Sequence, residues 1–286
     1  MYLVPMIRPL LQDDQLLDDI EAARPTTDRF HVWWLGQSGF LLQWQDHHLL
    51  FDPYLSDSLT RKYAATNKPH VRMTERVIDP ARLTGILATT STHNHTDHLD
   101  AHTLLPLLKT NPSMELVVPE ANRSFVADRL NLMTEMPRGL DAGQNTVIGP
   151  FRLHGVPAAH EQLDKDEYGR HHYLGYVVEF GPYTVYHSGD TIRFPGMDDW
   201  LQRWNIDLAF LPINGRAPER RVSGNLWGRE AAQLAADTGI RCAIPCHYEM
   251  FEFNTASPEE FIQTCTKLNQ AYSVLRAGER WTSPPV

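Results

Sequence analysis

The sequence predicts an α/β fold, α+β in its local ordering: two β-sheets covered by outer helices within one domain. Three observations predict it. Strand-like segments come first in a tight cluster, strands and helices then intermix, and this order repeats roughly twice along the chain. No stretch reads as a flexible linker, a low-complexity segment or a short-period repeat. The 286 residues are 42% hydrophobic, enough for a large shared core. Residues 1–286 are therefore read as a single domain, with 1–29 as an N-terminal helical extension.

The elements follow in order. Residues 13–24 form an acidic, amphipathic helix ended by Pro25. Strands are expected at 31–35, 39–44 and 48–51, separated by the turns Gly36-Gln37-Ser38-Gly39 and Gln45-Asp46-His47, which makes an antiparallel meander. Residues 56–80 are polar and without period, a long loop of the kind that often carries function. Residues 85–90 are a buried strand, 104–108 a helix, 114–118 a strand, and 120–132 a helix opening after Pro119. Residues 147–156 read as one strand, and 173–180 and 183–186 as two strands joined at Gly181-Pro182. A short helix over 198–204, a buried strand over 207–213, a helix over 229–237 stopped by Gly239 and a strand over 241–245 follow. Ser257-Pro258-Glu259-Glu260 starts a last helix, with Ser as N-cap and Glu at the capping-box position, running to about residue 270.

Composition narrows the function. The net charge is -9, a surface that repels phosphate backbones and disfavours long nucleic acids as partners. Cys242, Cys246 and Cys265 form no CxxC pair and read as reduced, buried thiols. The first ten residues are too short and too broken by Pro and Arg for a signal segment, and no apolar run approaches the roughly 20 residues of a membrane helix. The expectation is a soluble, cytoplasmic protein.

The segment Thr92-His93-Asn94-His95-Thr96-Asp97-His98 is the most informative. Three imidazoles and a carboxylate follow directly on an apolar strand. In an extended segment His93 and His95 point to one side, so they can share one cation, while Asp97 and His98 lie where the chain turns and can serve a second. Two cations about 3.5–4 Å apart hold a bridging hydroxide, a hydrolytic nucleophile. More ligands are needed, and His160, Asp190 and His247 each stand just past a strand. Strand ends meeting at one sheet edge bring such residues together.

His-x-His-x-Asp-His, followed by a distant His, an Asp and a His, resembles the metallo-β-lactamase-fold hydrolase superfamily. Trp33-Trp34-Leu35-Gly36, Tyr186-His187-Ser188-Gly189-Asp190 and Ile244-Pro245-Cys246-His247 resemble its L-ascorbate-6-phosphate lactonase (UlaG-like) branch, with N-acyl-phosphatidylethanolamine phospholipase D as a further relative. The likeness spans roughly residues 30–255. It implies a four-layer αβ/βα sandwich of two mixed β-sheets with outer helices. It implies His93, His95 and His160 around one ion, Asp97, His98 and His247 around the other, and Asp190 bridging. His160 departs from the lactonase pattern and follows the broader superfamily pattern. The resemblance also gives Asp97 the catalytic task of orienting the nucleophile and shuttling its proton. The cofactors expected are two divalent metal ions, zinc or manganese, with iron compatible. Residue His95 stands where redox di-iron relatives carry Glu, which argues against oxygen or nitric oxide reduction.

Three functions stay open: hydrolysis of a small-molecule ester or lactone with an acidic or phosphorylated substrate, a phosphodiesterase acting on a nucleotide or phospholipid head group, and metal binding without catalysis. The lactonase relatives form oligomers, so a homo-oligomer is open too. Asp52 is a candidate acceptor for a ligand imidazole N–H, with a plain strand-end turn as the alternative. Asn214 and Arg216, on a turn after a buried strand, suit a phosphate or carboxylate, and Tyr248 is a candidate pocket residue; solvated loop positions are the alternative. His187 and the pair Trp33 and Trp34 read as core. His171 and His172 precede a strand and could touch substrate, though ordinary surface positions explain them as well, and Arg220-Arg221 reads as a surface charge pair. The pocket walls are expected from residues 55–80, 161–172 and 214–228.

Overall fold

The computed structural model describes residues 6–220 and 222–285. Arg221 and the first five positions of the N-terminal segment considered above lie outside the described residues. The chain opens with α1 (Asp14–Ala23), whose Leu16, Ile20 and Ala23 recur at helical spacing and are buried. Trp33 Nε1 donates to Asp19 Oδ2 at 2.9 Å, which ties this helix to the first strand.

The expected meander follows: β1 (Phe30–Gly36), β2 (Gly39–Trp44) and β3 (His47–Phe51) pair antiparallel. The stretch at 56–80 contains a short helix, α2 (Ser58–Tyr63), that the sequence did not announce. Then come β4 (Ile86–Thr90), α3 (Ala101–Thr110), β5 (Glu115–Pro119), α4 (Arg123–Leu130) and β6 (Arg138–Leu140). Among the described residues these strands form a seven-stranded sheet in the order β13-β1-β2-β3-β4-β5-β6, parallel from β3 to β6.

The second sheet has six strands among the described residues. Its first two are a correction: residues 147–156 are not one strand but the hairpin β7 (Asn145–Ile148) and β8 (Phe151–Pro157). Gly149 takes φ 55° and Pro150 follows it, so the chain reverses in two residues. β9 (Leu174–Phe180), β10 (Tyr183–His187), α5 (Met197–Leu201), β11 (Leu208–Pro212), α6 (Gly228–Asp237), β12 (Cys242–Cys246), α7 (Glu259–Leu268) and β13 (Arg280–Thr282) complete the chain. The capping box expected at α7 does not close. Ser257 Oγ accepts from Glu259 N at 3.2 Å, but the Glu260 carboxylate turns away to Arg229 at 2.6 Å.

The sheets pack face to face. Phe30 of β1 meets Phe180 of β9 edge-on at 5.3 Å, Phe40 of β2 stacks on Phe210 of β11 at 3.8 Å, and Phe51 of β3 stacks on His187 of β10 at 5.2 Å. Aromatic rings of this size carry much of the apolar burial that holds two sheets together. His187 is thus a core residue, its Nε2 donating to Ser38 O at 2.8 Å. Buried residues of both sheets and α1 form one contiguous cluster. A smaller cluster of Tyr54, Leu59, Met250 and Phe251 stands apart beneath α2. The two sheets, each mixed, with helices against them make the αβ/βα sandwich expected from the sequence.

Candidate metal centre

The motif loop leaves the C-terminal end of β4, and the ends of β8, β10 and β12 open onto the same rim. His93, His95 and His160 form one group whose ligand-type atoms lie within 4.8 Å of one another; His93, His98 and Asp190 form a second, and Asp97, His98 and His247 a third. Seven side chains from four strand ends meet at one place. His98 Nε2 is 3.2 Å from Asp190 Oδ1, and Asp190 Oδ2 is 3.3 Å from His247 Nε2 and 3.6 Å from His160 Nε2. His247 Nε2 and His98 Nε2 lie 3.6 and 3.7 Å from Asp97 Oδ2. Ligand atoms held about 2.1 Å from one tetrahedral cation stand about 3.4 Å apart, so this spacing is that of a coordination shell.

The hydrogen bonds behind these atoms point the same way. His98 Nδ1 donates to Asp52 Oδ2 at 2.7 Å, and His160 Nδ1 to Gly224 O at 2.9 Å. Each hydrogen bond thereby fixes a proton on Nδ1 and aims Nε2 inward, the atom that can coordinate a cation. His93 Nε2, His98 Nε2 and Asp190 Oδ1 are buried without a hydrogen-bond partner in the described structure. Orphaned buried polar atoms are costly, and three facing one another fit a bound cation.

Asp52 is a hub. Fully buried, it accepts from Thr90 Oγ1 at 2.8 Å and Thr92 N at 3.2 Å, as well as from Thr92 Oγ1 and His98. Burial pushes its carboxyl up, but the His98 hydrogen bond and the neighbouring imidazoles outweigh that and hold it below the usual range. The β10 end comes close to this loop because residue 189 is glycine: at φ 60° a Cβ there would meet Thr92 Cβ at 2.7 Å.

Charge is divided unevenly. Burial lowers His93, His95 and His160, which stay neutral at neutral pH. Burial works against the charged forms of His98 and His247 too, yet Asp190 and Asp97 overcome it, raising His98 well above its ordinary value and pushing His247 up to about 9. The carboxylate-rich half of the cluster demands positive charge, which a divalent cation satisfies more fully than protons.

A cavity of about 460 Å³ opens onto the cluster, with His95, Asp97, His160, Asp190 and His247 in its floor. Its walls come from α2 and the loop after it (Tyr63, His70), from α4 (Phe125, Arg129), from residues 222–223 and from Phe251 and Phe253. His70 stacks on Tyr63 at 4.3 Å and meets Phe253 edge-on at 4.5 Å. Arg129 donates to Asn94 O at 2.7 Å and Leu99 O at 3.1 Å, clamping the motif loop from outside.

The substrate-contact expectations fare differently. Asn214, Arg216 and Tyr248 do not line this cavity. Arg216 is engaged by Glu230 through two 2.6 Å bonds, Asn214 is buried against Asn254 and Asn225, and Tyr248 lies under Trp34 with its hydroxyl on Leu275 O. His171 and His172 bond to Asp141 and Asn122 at 2.8 and 2.9 Å, away from the floor. The loop 56–80 does form wall, whereas 161–172 contributes no lining residue and the 214–228 loop does so through Val222 and Ser223. Tyr173, whose ring lies 5.2 Å from His93 and 5.7 Å from His160, carried no sequence signal beyond its place at the start of an expected strand. Gln37, buried and 2.8 Å from Asp97, carried none either.

Two face-packed sheets with a His and Asp cluster across their strand ends define the metallo-β-lactamase fold class. A family model, the beta-lactamase superfamily domain, matches residues 47–248, most of the chain. The protein belongs to that family. It is 29% identical over 257 residues to a metal-dependent hydrolase of Rubrobacter xylanophilus, covering 87% of this chain and 94% of the relative. Two solved structures share the fold. One is a metallo hydrolase of Ignicoccus hospitalis (TM-score 0.64, 19% identity, 90% of this chain and 99% of that one). The other is an isothiocyanate hydrolase from Delia radicum gut bacteria (TM-score 0.70, 17% identity, 88% and 98%). Among the described residues no helix is long and apolar enough to cross a membrane.

Proposed function

We propose that the protein is a metal-dependent hydrolase that cleaves a small-molecule ester or lactone at a centre of two divalent cations, zinc or manganese. The observation that carries the reading is the set of three overlapping ligand groups joined through His93, His98 and Asp190. His93, His95 and His160 would hold one cation, Asp97, His98 and His247 the other, with Asp190 between. The relatives named as metal-dependent hydrolases support the reaction class. Bound at such a position, divalent cations lower the pKa of water toward neutrality and polarise the scissile oxygen.

The chain's own residues do the rest. Asp52 and Gly224 O fix the rings of His98 and His160, so little reorganisation is needed when substrate arrives. Asp97 sits in the cavity floor, where its carboxylate orients the attacking water and takes its proton. Arg129, Lys62 and Lys68 give the mouth positive charge, which suits an acidic substrate, and Tyr63, Phe125, Phe251 and Phe253 give its organic part an apolar wall. The same cations suit a phosphodiester, the second reading. The acidic net charge, -9, speaks against a nucleic-acid partner. The three free cysteines support a cytoplasmic, reducing setting.

The test is hydrolysis of p-nitrophenyl acetate and homoserine lactone against bis-p-nitrophenyl phosphate, each with Zn²⁺, Mn²⁺ and Fe²⁺. Faster turnover of the carboxylic esters supports the reading. Preference for the phosphodiester transfers it to the second, and tight metal binding with no turnover on any of the three leaves only a metal-binding protein.

A further inference from the structure

Gln37 lies outside the set of seven, yet its side chain ends among them. It occupies the tip of the β1–β2 hairpin, fully buried, at φ 51°, a left-handed conformation that is uncommon for glutamine. Its backbone carbonyl accepts from Trp34 Nε1 at 3.0 Å and from His247 N at 2.9 Å, so the tip is fastened to both the core and the last ligand. Its Nε2 lies 2.8 Å from Asp97 Oδ2 and 3.0 Å from His247 Nε2. Those two atoms are themselves 3.6 Å apart. The amide end therefore stands where a further vertex of the Asp97, His98 and His247 group would lie. Its Oε1 is buried with no hydrogen-bond partner in the described structure.

A terminal amide is nearly two-fold in shape, and a half-turn exchanges oxygen for nitrogen. Next to a bare carboxylate the N–H end is favoured. Next to a cation bound by Asp97 and His247 the dipole favours the oxygen. We propose that Gln37 is a further ligand of the centre, with its amide oxygen Oε1 turned onto the cation held by Asp97, His98 and His247. This rests on the two-cation reading above. An amide oxygen is a neutral, hard donor, so this half of the centre is better matched to manganese than an all-imidazole site would be.

The experiment measures cation binding rather than turnover. Metal-free wild type, Gln37→Met and Gln37→Glu are loaded with Mn²⁺ or Co²⁺, dialysed, and compared by elemental analysis and by the visible spectrum of the Co²⁺ forms. Wild type and Gln37→Glu are expected to hold two equivalents. Gln37→Met, of similar length but without the oxygen, is expected to bind the second at least about 10-fold more weakly, with an altered Co²⁺ band. A second equivalent of wild-type affinity and spectrum in Gln37→Met overturns the proposal. So does its loss from folded Gln37→Glu, which would assign the effect to the N–H donated to Asp97. Should Gln37→Met fail to fold, Gln37→Glu decides alone. A wild type that takes up only one equivalent brings down the two-cation reading itself, an outcome separate from either variant result.

Discussion

The floor and the wall of the cavity are built by opposite rules. The floor is made of side chains at or just beyond the ends of β4, β8, β10 and β12, most of them buried, with Asp52 behind His98 and Gly224 behind His160. The wall is made of α2, the chain after it and the residues around Phe251 and Phe253, packed on a small cluster separate from the main core. The contrast teaches where tolerance lies. Side chains at sheet ends are held by the two packed sheets, while loop-borne rings shape what reaches them and can be exchanged.

The largest effect should come from the floor. Asp97→Ala is expected to lower kcat/KM by roughly 10³-fold or more while the melting temperature changes little, because on the proposed reading it removes both a cation ligand and the proton carrier. Full activity in that variant would break the contrast outright. Asp52→Asn should weaken cation binding by about 10- to 100-fold, since the amide no longer fixes the tautomer of His98. Equilibrium dialysis measures it, and an unchanged affinity would mean that the imidazole is held by packing alone.

The acid–base balance gives a third test. Without cations, His98 and His247 are raised above their ordinary value, so their stabilisation is complete below pH 6.5 and is lost as pH climbs toward about 9. The melting temperature of the metal-free protein should fall over that window. With cations bound both rings are neutral ligands, the fall should vanish, and loading at pH 7 should release protons that calorimetry in buffers of different ionisation enthalpy detects.

The wall should respond more gently. Tyr63→Ala is expected to change kcat/KM between an apolar and a small polar ester by about 10-fold, mostly through KM, in keeping with the loss of one apolar contact. A kcat collapse would show that the wall takes part in the chemistry. Arg216→Ala should matter least. Its guanidinium is more than a third exposed and committed to Glu230, so kcat and KM should stay within about twofold and stability should drop by under about 1 kcal/mol.

Legibility followed the same division. The clustering of the seven His and Asp residues could be read because such side chains directly after apolar runs are rare by chance, and β1 to β4 and β9 to β12 announced themselves through β-branched and aromatic content. Three-residue strands such as β6 and β13 are too short for a period to show. The β7–β8 hairpin was read as one strand because Val147 to Val156 stays strand-like apart from a single Gly-Pro turn. Arg216 was misplaced because a turn beside a buried strand does not reveal that Glu230, the third residue of α6, captures the guanidinium. Gln37 was missed because one glutamine in a hairpin turn has no pattern; only the fold discloses that its neighbours are Asp97 and His247.

The donors arrive in an order with a temporal meaning. The polypeptide supplies His93 through His98 early, His160 and Asp190 midway, and His247 only after β11 and α6 are made. Synthesis proceeds from the N-terminus, and no fragment that stops before His247 carries the complete set. On the two-cation reading, tight capture of both ions would therefore wait until His247 has been made, and loading would double as a checkpoint that both sheets have found each other.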